Sequence, residues 1–196
     1  MDITLDRRTI LPDLLPEPEK YLLVAGLAGS ARDLAGYTKE AENLITLGGA
    51  MGGAVPLALG MALSAPEERV LVLTGDGELI MNMGALSTVA SVMPDNLSIV
   101  CLDNGGHGET GGQPGHTSRR TDLAKVAEGC GIPSVMTVVA KEDLAAARRF
   151  LEEAPAPRFL LVRVMAGPPT DYRRNWDLAE CRLRFRNAYL GKRQAG

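Results

Sequence analysis

The sequence predicts an α/β fold, a doubly wound and mainly parallel sheet in a single domain. Short apolar runs alternate with segments of helical spacing along most of the chain. Two of those runs, 70–74 and 97–102, lead into polar residues: Gly75-Asp76-Gly77 after the first and Asn104 after the second. Between them, residues 81–92 read as a helix. Strands joined by a helical crossover run parallel, so both polar ends fall on one edge of the sheet, where open α/β folds bind ligands.

The other elements follow in order. Residues 1–20 read as a lead-in, Tyr21–Ala25 as the first strand, and Gly29-Ser30-Ala31-Arg32-Asp33 as the start of a turn or short helix. Residues 55–64 are helical, and Pro56 places the helix start close by. Residues 105–120 are glycine-rich, polar and aperiodic, longer than an ordinary connection, which favours a functional loop. Asp122 caps a helix running through Gly129. Residues 133–139 form a strand, and 141–153 carry Leu144, Ala147 and Leu151 at helical spacing. Residues 158–165 are the last strand, stopped by Gly167-Pro168-Pro169. The domain proper spans 20–165, and 166–196 form a basic, helical extension. In that extension Trp176, Leu178, Cys181, Phe185 and Tyr189 share a helix face, although the alternation over 181–186 also permits a strand.

Composition narrows the function. Apolar residues make up 45% and aromatics only 4%, so the core is built from Ala, Leu, Val and Met. A net charge of −3 is too mild for a nucleic-acid partner. No apolar run approaches the ~18 residues of a membrane span, and the acidic N-terminus lacks a signal-peptide pattern, so the expected location is cytoplasmic. Cys101, Cys130 and Cys181 are widely spaced and form no metal-like pair, consistent with reduced thiols. Residues 158–196 hold nine Lys or Arg against three Asp or Glu, net +6, leaving −9 on the preceding 157 residues. That basic segment suits a helix packed on its own domain, a subunit contact, or arginines that bind an anionic substrate.

Asp76 and Asn104, 28 positions apart, can offer oxygens to one hard divalent cation, and the flanking glycines let a diphosphate approach the backbone. Taken alone, the two residues also read as a turn aspartate and a strand-end asparagine. The surrounding motifs narrow this. The loop Leu47-Gly48-Gly49-Ala50-Met51-Gly52-Gly53 precedes them. Asp103-Asn104-Gly105-Gly106-His107 and Thr110-Gly111-Gly112-Gln113-Pro114 follow. In this order, over about residues 20–165, the chain resembles the diphosphate-binding domain of thiamin-diphosphate-dependent enzymes. Within them it is most similar to the decarboxylases of sulfopyruvate and phosphonopyruvate.

The resemblance implies thiamin diphosphate held through Mg²⁺. Asp76, Asn104 and the Gly106 carbonyl would bind the metal, while Gly75 and the Gly77 and Glu78 amides would meet the diphosphate. Met51 would prop the cofactor into a bent shape, and the Gly49 carbonyl would accept from its amino group. Glu78 departs from the Ala or Ser of related decarboxylases, so its side chain must point away from the diphosphate. Gln113 is a candidate contact to cofactor or anionic substrate, and His107 a candidate catalytic acid–base, with His116 in the same loop. The family activates its cofactor with a Glu from a pyrimidine-binding domain. Glu40, Glu42 and Glu67 lie in no segment resembling that domain, and the chain is short for both. The expectation is therefore a beta-type subunit, inactive until a partner chain supplies the Glu in an oligomer. It would convert a small anionic 2-oxoacid to an aldehyde and CO₂. A 2-oxoacid oxidoreductase subunit is disfavoured, since no Cys cluster suits an iron–sulfur centre. The alternatives are a non-catalytic thiamin-diphosphate-binding or regulatory protein, or another lyase or carboligase subunit.

Overall fold

Buried strands feed one sheet, and its connections decide where a site can lie. The computed structural model describes residues 3–195, so Met1 and Asp2 of the lead-in and Gly196 of the extension lie outside the described residues. The chain runs α1 (Leu11–Leu14), β1 (Tyr21–Ala25), α2 (Ala28–Thr38), β2 (Leu44–Thr46), α3 (Ala54–Ser64) and β3 (Arg69–Gly75). It continues through α4 (Asp76–Met81), α5 (Ala85–Val92), β4 (Leu97–Asp103) and a small hairpin, β5 (Gly106–His107) with β6 (Gln113–Pro114). It ends with α6 (Leu123–Cys130), β7 (Ser134–Val138), α7 (Leu144–Glu153), β8 (Arg158–Arg163) and α8 (Leu178–Ala195).

The main sheet has the order β2-β1-β3-β4-β8-β7, and all its neighbouring strands are parallel. Every residue of β1 and β4 is buried, which is why these segments read as unbroken apolar runs rather than alternating ones. One core layer sets α3, α5, α6 and Phe185 of α8 against the sheet; the other sets α1, α2, α7 and the N-terminal Leu5 and Ile10 against its opposite face. The chain leaves β1 for β2 on one side, while β3 flanks β1 on the other. A crevice therefore opens beyond the ends of β1 and β3, the place where such sheets take ligands.

Several elements differ from the sequence reading. The helix expected over 81–92 is two helices: α4 starts at Asp76 itself, and α5 follows the break at residues 82–84. Asn82 leaves helical geometry and donates its Nδ2 to the Gly52 carbonyl at 3.1 Å, which ties the break to the loop after β2. β2 has only three residues at the sheet edge, too few for a periodic signal. α2 extends well past Asp33, to Thr38. In the C-terminal extension, Cys181 and Phe185 are buried and Tyr189 packs against the core. Trp176 precedes the helix and is 58% exposed, with the Arg174 guanidinium 3.8 Å over its ring, and Leu178 is exposed as well. α8 packs along β2 and covers that sheet edge.

Candidate functional site

β3 and β4 are hydrogen-bonded neighbours in register, Gly75 opposite Leu102, so Asp76 and the Asp103-Asn104 pair emerge side by side. Asp76 opens α4 and is 3% exposed, and Asp103 closes β4 at 1%. Burial, then the charge of Asp103, raise the Asp76 carboxyl above the usual carboxylate range; the Thr117 hydroxyl and the Gly77 amide offset part of this. Asp103 accepts from the Gly105 amide at 2.9 Å and the Thr117 hydroxyl at 2.7 Å. Its other oxygen faces Arg163 Nε at 3.2 Å, an ion pair without hydrogen-bond alignment. Asn104 follows β4 directly, and its Oδ1 accepts from the Gly106 amide at 3.1 Å.

The Glu78 side chain turns away from this edge. It lies in the β1/β3 crevice, 4% exposed, accepting from the Leu27 amide at 2.9 Å and the Thr74 hydroxyl at 3.0 Å. Its other oxygen has no hydrogen-bond partner, and burial raises its carboxyl despite the amides of Leu27, Ala54 and Gly52 around it. The fit is close: a Cβ on Gly26 would come within 1.8 Å of Glu78 Oε2.

The predicted residues divide into two groups. Gly75, Asp76, Gly77, Asn104, Gly106 and His107 gather on the β3/β4 edge, with the Glu78 backbone beside them and its side chain in the crevice. The His107 ring lies over Gly77, whose Cβ would meet Nδ1 at 2.9 Å, and it packs edge-on to His116 at 6.1 Å between centroids. Gln113 joins that cluster, paired with His107 across the β5/β6 hairpin, whereas Gly49 and Met51 stand apart. Gly49 and Met51 are exposed in the loop after β2, and nothing packs where a Gly49 Cβ would be. Gln113 closes on its own turn, donating to the Thr110 carbonyl at 2.7 Å and accepting from its hydroxyl at 2.9 Å. Sequence reasoning missed Asp103, Thr117, Thr74 and Gly26. Asp103 was detectable as a second acid next to Asn104; Thr117 sits fourteen positions from its partner Asp103 and carries no local signal.

Among the described residues no three His, Cys, Asp or Glu side chains converge on a metal position, so a cation here would have to combine a single carboxylate with amide, carbonyl and external oxygens. The larger described cavity, about 290 Å³, lies at the opposite end of the strands, where Tyr21 and Arg69 begin β1 and β3. Its polar walls pair internally, Lys20 with Glu17 at 2.6 Å and Arg69 with the Leu151 carbonyl at 3.0 Å. The strand-end geometry, not cavity size, marks the site.

A parallel α/β sheet thus presents a buried acid, an amide and glycines at adjacent strand ends. The chain belongs to the thiamine pyrophosphate enzyme family: the family's C-terminal TPP binding domain matches residues 28–163. It is 38% identical over 119 residues to the sulfopyruvate decarboxylase subunit beta of Methanocaldococcus jannaschii, covering 61% of this chain and 62% of that one. It is 38% identical over 163 residues to the phosphonopyruvate decarboxylase of Streptomyces viridochromogenes, covering 82% of this chain and 40% of that one. The chain thus spans only part of these relatives. A candidate thiamin diphosphate-dependent enzyme isolated from Mycobacterium smegmatis shares the fold, with a TM-score of 0.67 at 24% identity over 82% of this chain and 31% of that one. Among the described residues no helix is long and apolar enough to cross a membrane.

Proposed function

We propose that this chain is the cofactor-holding, beta-type subunit of a cytoplasmic 2-oxoacid decarboxylase that uses thiamin diphosphate and Mg²⁺. The carrying observation is the buried Asp76 carboxylate beside Asp103, with Asn104 and the Gly106 carbonyl on the neighbouring strand end. A carboxylate raised by burial and by a second acid lacks a counter-charge, and a hard divalent cation supplies one. One carboxylate, one amide oxygen and one carbonyl suit Mg²⁺, with phosphate oxygens and water completing the shell.

When bound, thiamin diphosphate supplies the carbon nucleophile and electron sink that decarboxylation of a 2-oxoacid needs. This chain does the holding. Asp76, Asn104 and Gly106 grip the cation, and Gly75 with the Gly77 and Glu78 amides leaves room for the diphosphate. α4 has only six residues, so those amides act as individual donors. Glu78 stays in the crevice and braces the loops after β1 and β2. Met51 and the Gly49 carbonyl face the cofactor from the exposed loop. His107, over Gly77, would move a proton near the cofactor, and Gln113 would meet an anionic substrate by exchanging its bonds to Thr110.

The activating Glu comes from a partner chain in this reading. The acids of the site, Asp76, Glu78 and Asp103, are all buried in local contacts. Apolar side chains near the site also await cover: Met51 is 45% and Met81 63% exposed. Sulfopyruvate and phosphonopyruvate, named in the two relatives, are the substrates to screen first.

Titration calorimetry of thiamin diphosphate with Mg²⁺, on this chain alone and mixed with a pyrimidine-type partner, tests the proposal. Binding confined to the mixture, followed by release of CO₂ and an aldehyde, is expected. Binding without turnover of any 2-oxoacid would favour a non-catalytic role, and binding by neither sample would overturn the proposal.

A further inference from the structure

Both feet of the 105–120 loop rest on one oxygen. Asp103 Oδ1 accepts from the Gly105 amide at 2.9 Å and from the Thr117 hydroxyl at 2.7 Å. The same hydroxyl lies 3.1 Å from Asp76 Oδ2. All three side chains are buried, Thr117 being 7% exposed. A threonine hydroxyl carries a single proton, so it can serve only one carboxylate at a time, and the shorter contact assigns it to Asp103. Arg163 from β8 faces the far oxygen of Asp103 and holds that side chain in place.

The feet also close on each other. The Gly115 amide donates to the Gly105 carbonyl at 2.6 Å, and the Ser118 hydroxyl donates to the Gly115 carbonyl at 2.8 Å. A Cβ on Gly115 would come within 3.0 Å of the Gly105 carbonyl and 3.2 Å of Asp76 Oδ2. The loop feet and the Asp76 carboxylate are packed as one unit, with the Thr117 hydroxyl, alone among the described side chains, within hydrogen-bond reach of both acids.

We infer that Thr117, fastened by Asp103, is a positioning residue that couples closure of the 105–120 loop to the orientation of Asp76. A cation on Asp76 ends its competition for the Thr117 proton, so the hydroxyl commits to Asp103 and the loop feet tighten. Loss of the hydroxyl frees the feet and lets the Asp76 carboxylate turn. The metal half of this inference rests on the proposed function; the loop half does not.

Two measurements on the full chain test it: hydrogen exchange of amides 105–118 without metal, and Mg²⁺-dependent binding of thiamin diphosphate in the partner mixture. Thr117→Val should speed exchange and weaken binding roughly tenfold or more, the usual scale for residues that orient metal ligands. Thr117→Ser, which keeps the hydroxyl, should restore both to within about threefold of wild type on that scale. Wild-type binding by Thr117→Val, or a Thr117→Ser variant as defective as Thr117→Val, would overturn the coupling. If the wild-type mixture takes up no cofactor, the proposed function fails and the metal half with it. Exchange then still decides the loop half, which falls if Thr117→Val leaves it unchanged.

Discussion

Asp33, midway along α2, and Asp76, at the start of α4, are both buried aspartates, 1% and 3% exposed, yet they do different things. Asp33, in α2, has its demand met from within the chain: Arg7 Nε donates to Oδ2 at 2.6 Å and the Thr170 amide to Oδ1 at 2.7 Å. It joins the N-terminal segment, α2 and the stretch after β8 into one closed face. Asp76 has a hydroxyl whose proton belongs elsewhere, a nearby amide and a second acid. The comparison teaches that burial alone marks neither a keystone nor a site. A buried acid with a complete set of donors is structural; one left short of positive charge is a candidate for binding a cation.

Substitution should separate the two. Asp33→Ala would strand the buried Arg7 guanidinium and is expected to cost about 3–5 kcal/mol, read as a lowered urea midpoint. Asp76→Ala should abolish Mg²⁺-dependent cofactor binding while the protein keeps its fold by circular dichroism. A large stability loss in Asp76→Ala, or none in Asp33→Ala, would break the comparison. Gly26→Ala comes next, because its methyl would collide with the Glu78 carboxylate held between two loops. A loss of about 1–3 kcal/mol is expected, whereas Gly77→Ala meets only the movable His107 ring and should cost less.

Asp76→Asn sharpens the contrast from the other side. Without metal it removes a buried charge beside Asp103 and should raise stability by about 1 kcal/mol, although it impairs the site. The smallest effect is in pH. The Glu78 carboxyl is raised by burial, so the folded state holds its proton more tightly than the unfolded chain does. That stabilises the protein below the unfolded value and is lost as pH rises through the folded one. Wild type should therefore lose stability relative to Glu78→Gln as pH rises from below the ordinary glutamate range to above it, in paired denaturant titrations. A flat difference would mean that Glu78 ionises as freely folded as unfolded.

Much of the fold was legible because the inner strands are buried on both faces. β1, β3 and β4 show as continuous apolar runs, and Asp122 accepts from the Ala124 and Lys125 amides as a helix cap should. β2 escaped because three residues carry no period. The break at 82–84 escaped because it depends on Asn82 reaching Gly52, thirty residues away. The Trp176 position escaped because helical spacing alone does not say where the helix begins, and Asp177 starts it by accepting from the Glu180 amide at 3.0 Å.

The sequence by itself determined the class of sheet, the order of its elements and the pairing of Asp76 with Asn104 at one edge. Apolar period and short glycine motifs are local properties, and parallel crossovers carry strand ends to the same side whatever the details. Tertiary structure decided the rest: that Glu78 faces the crevice, that Asp103 sits beside Asp76, and that the Thr117 hydroxyl lies between the two acids. These depend on contacts between positions 14 to 51 residues apart, and a carboxylate's charge balance is set by whatever side chains the fold brings around it.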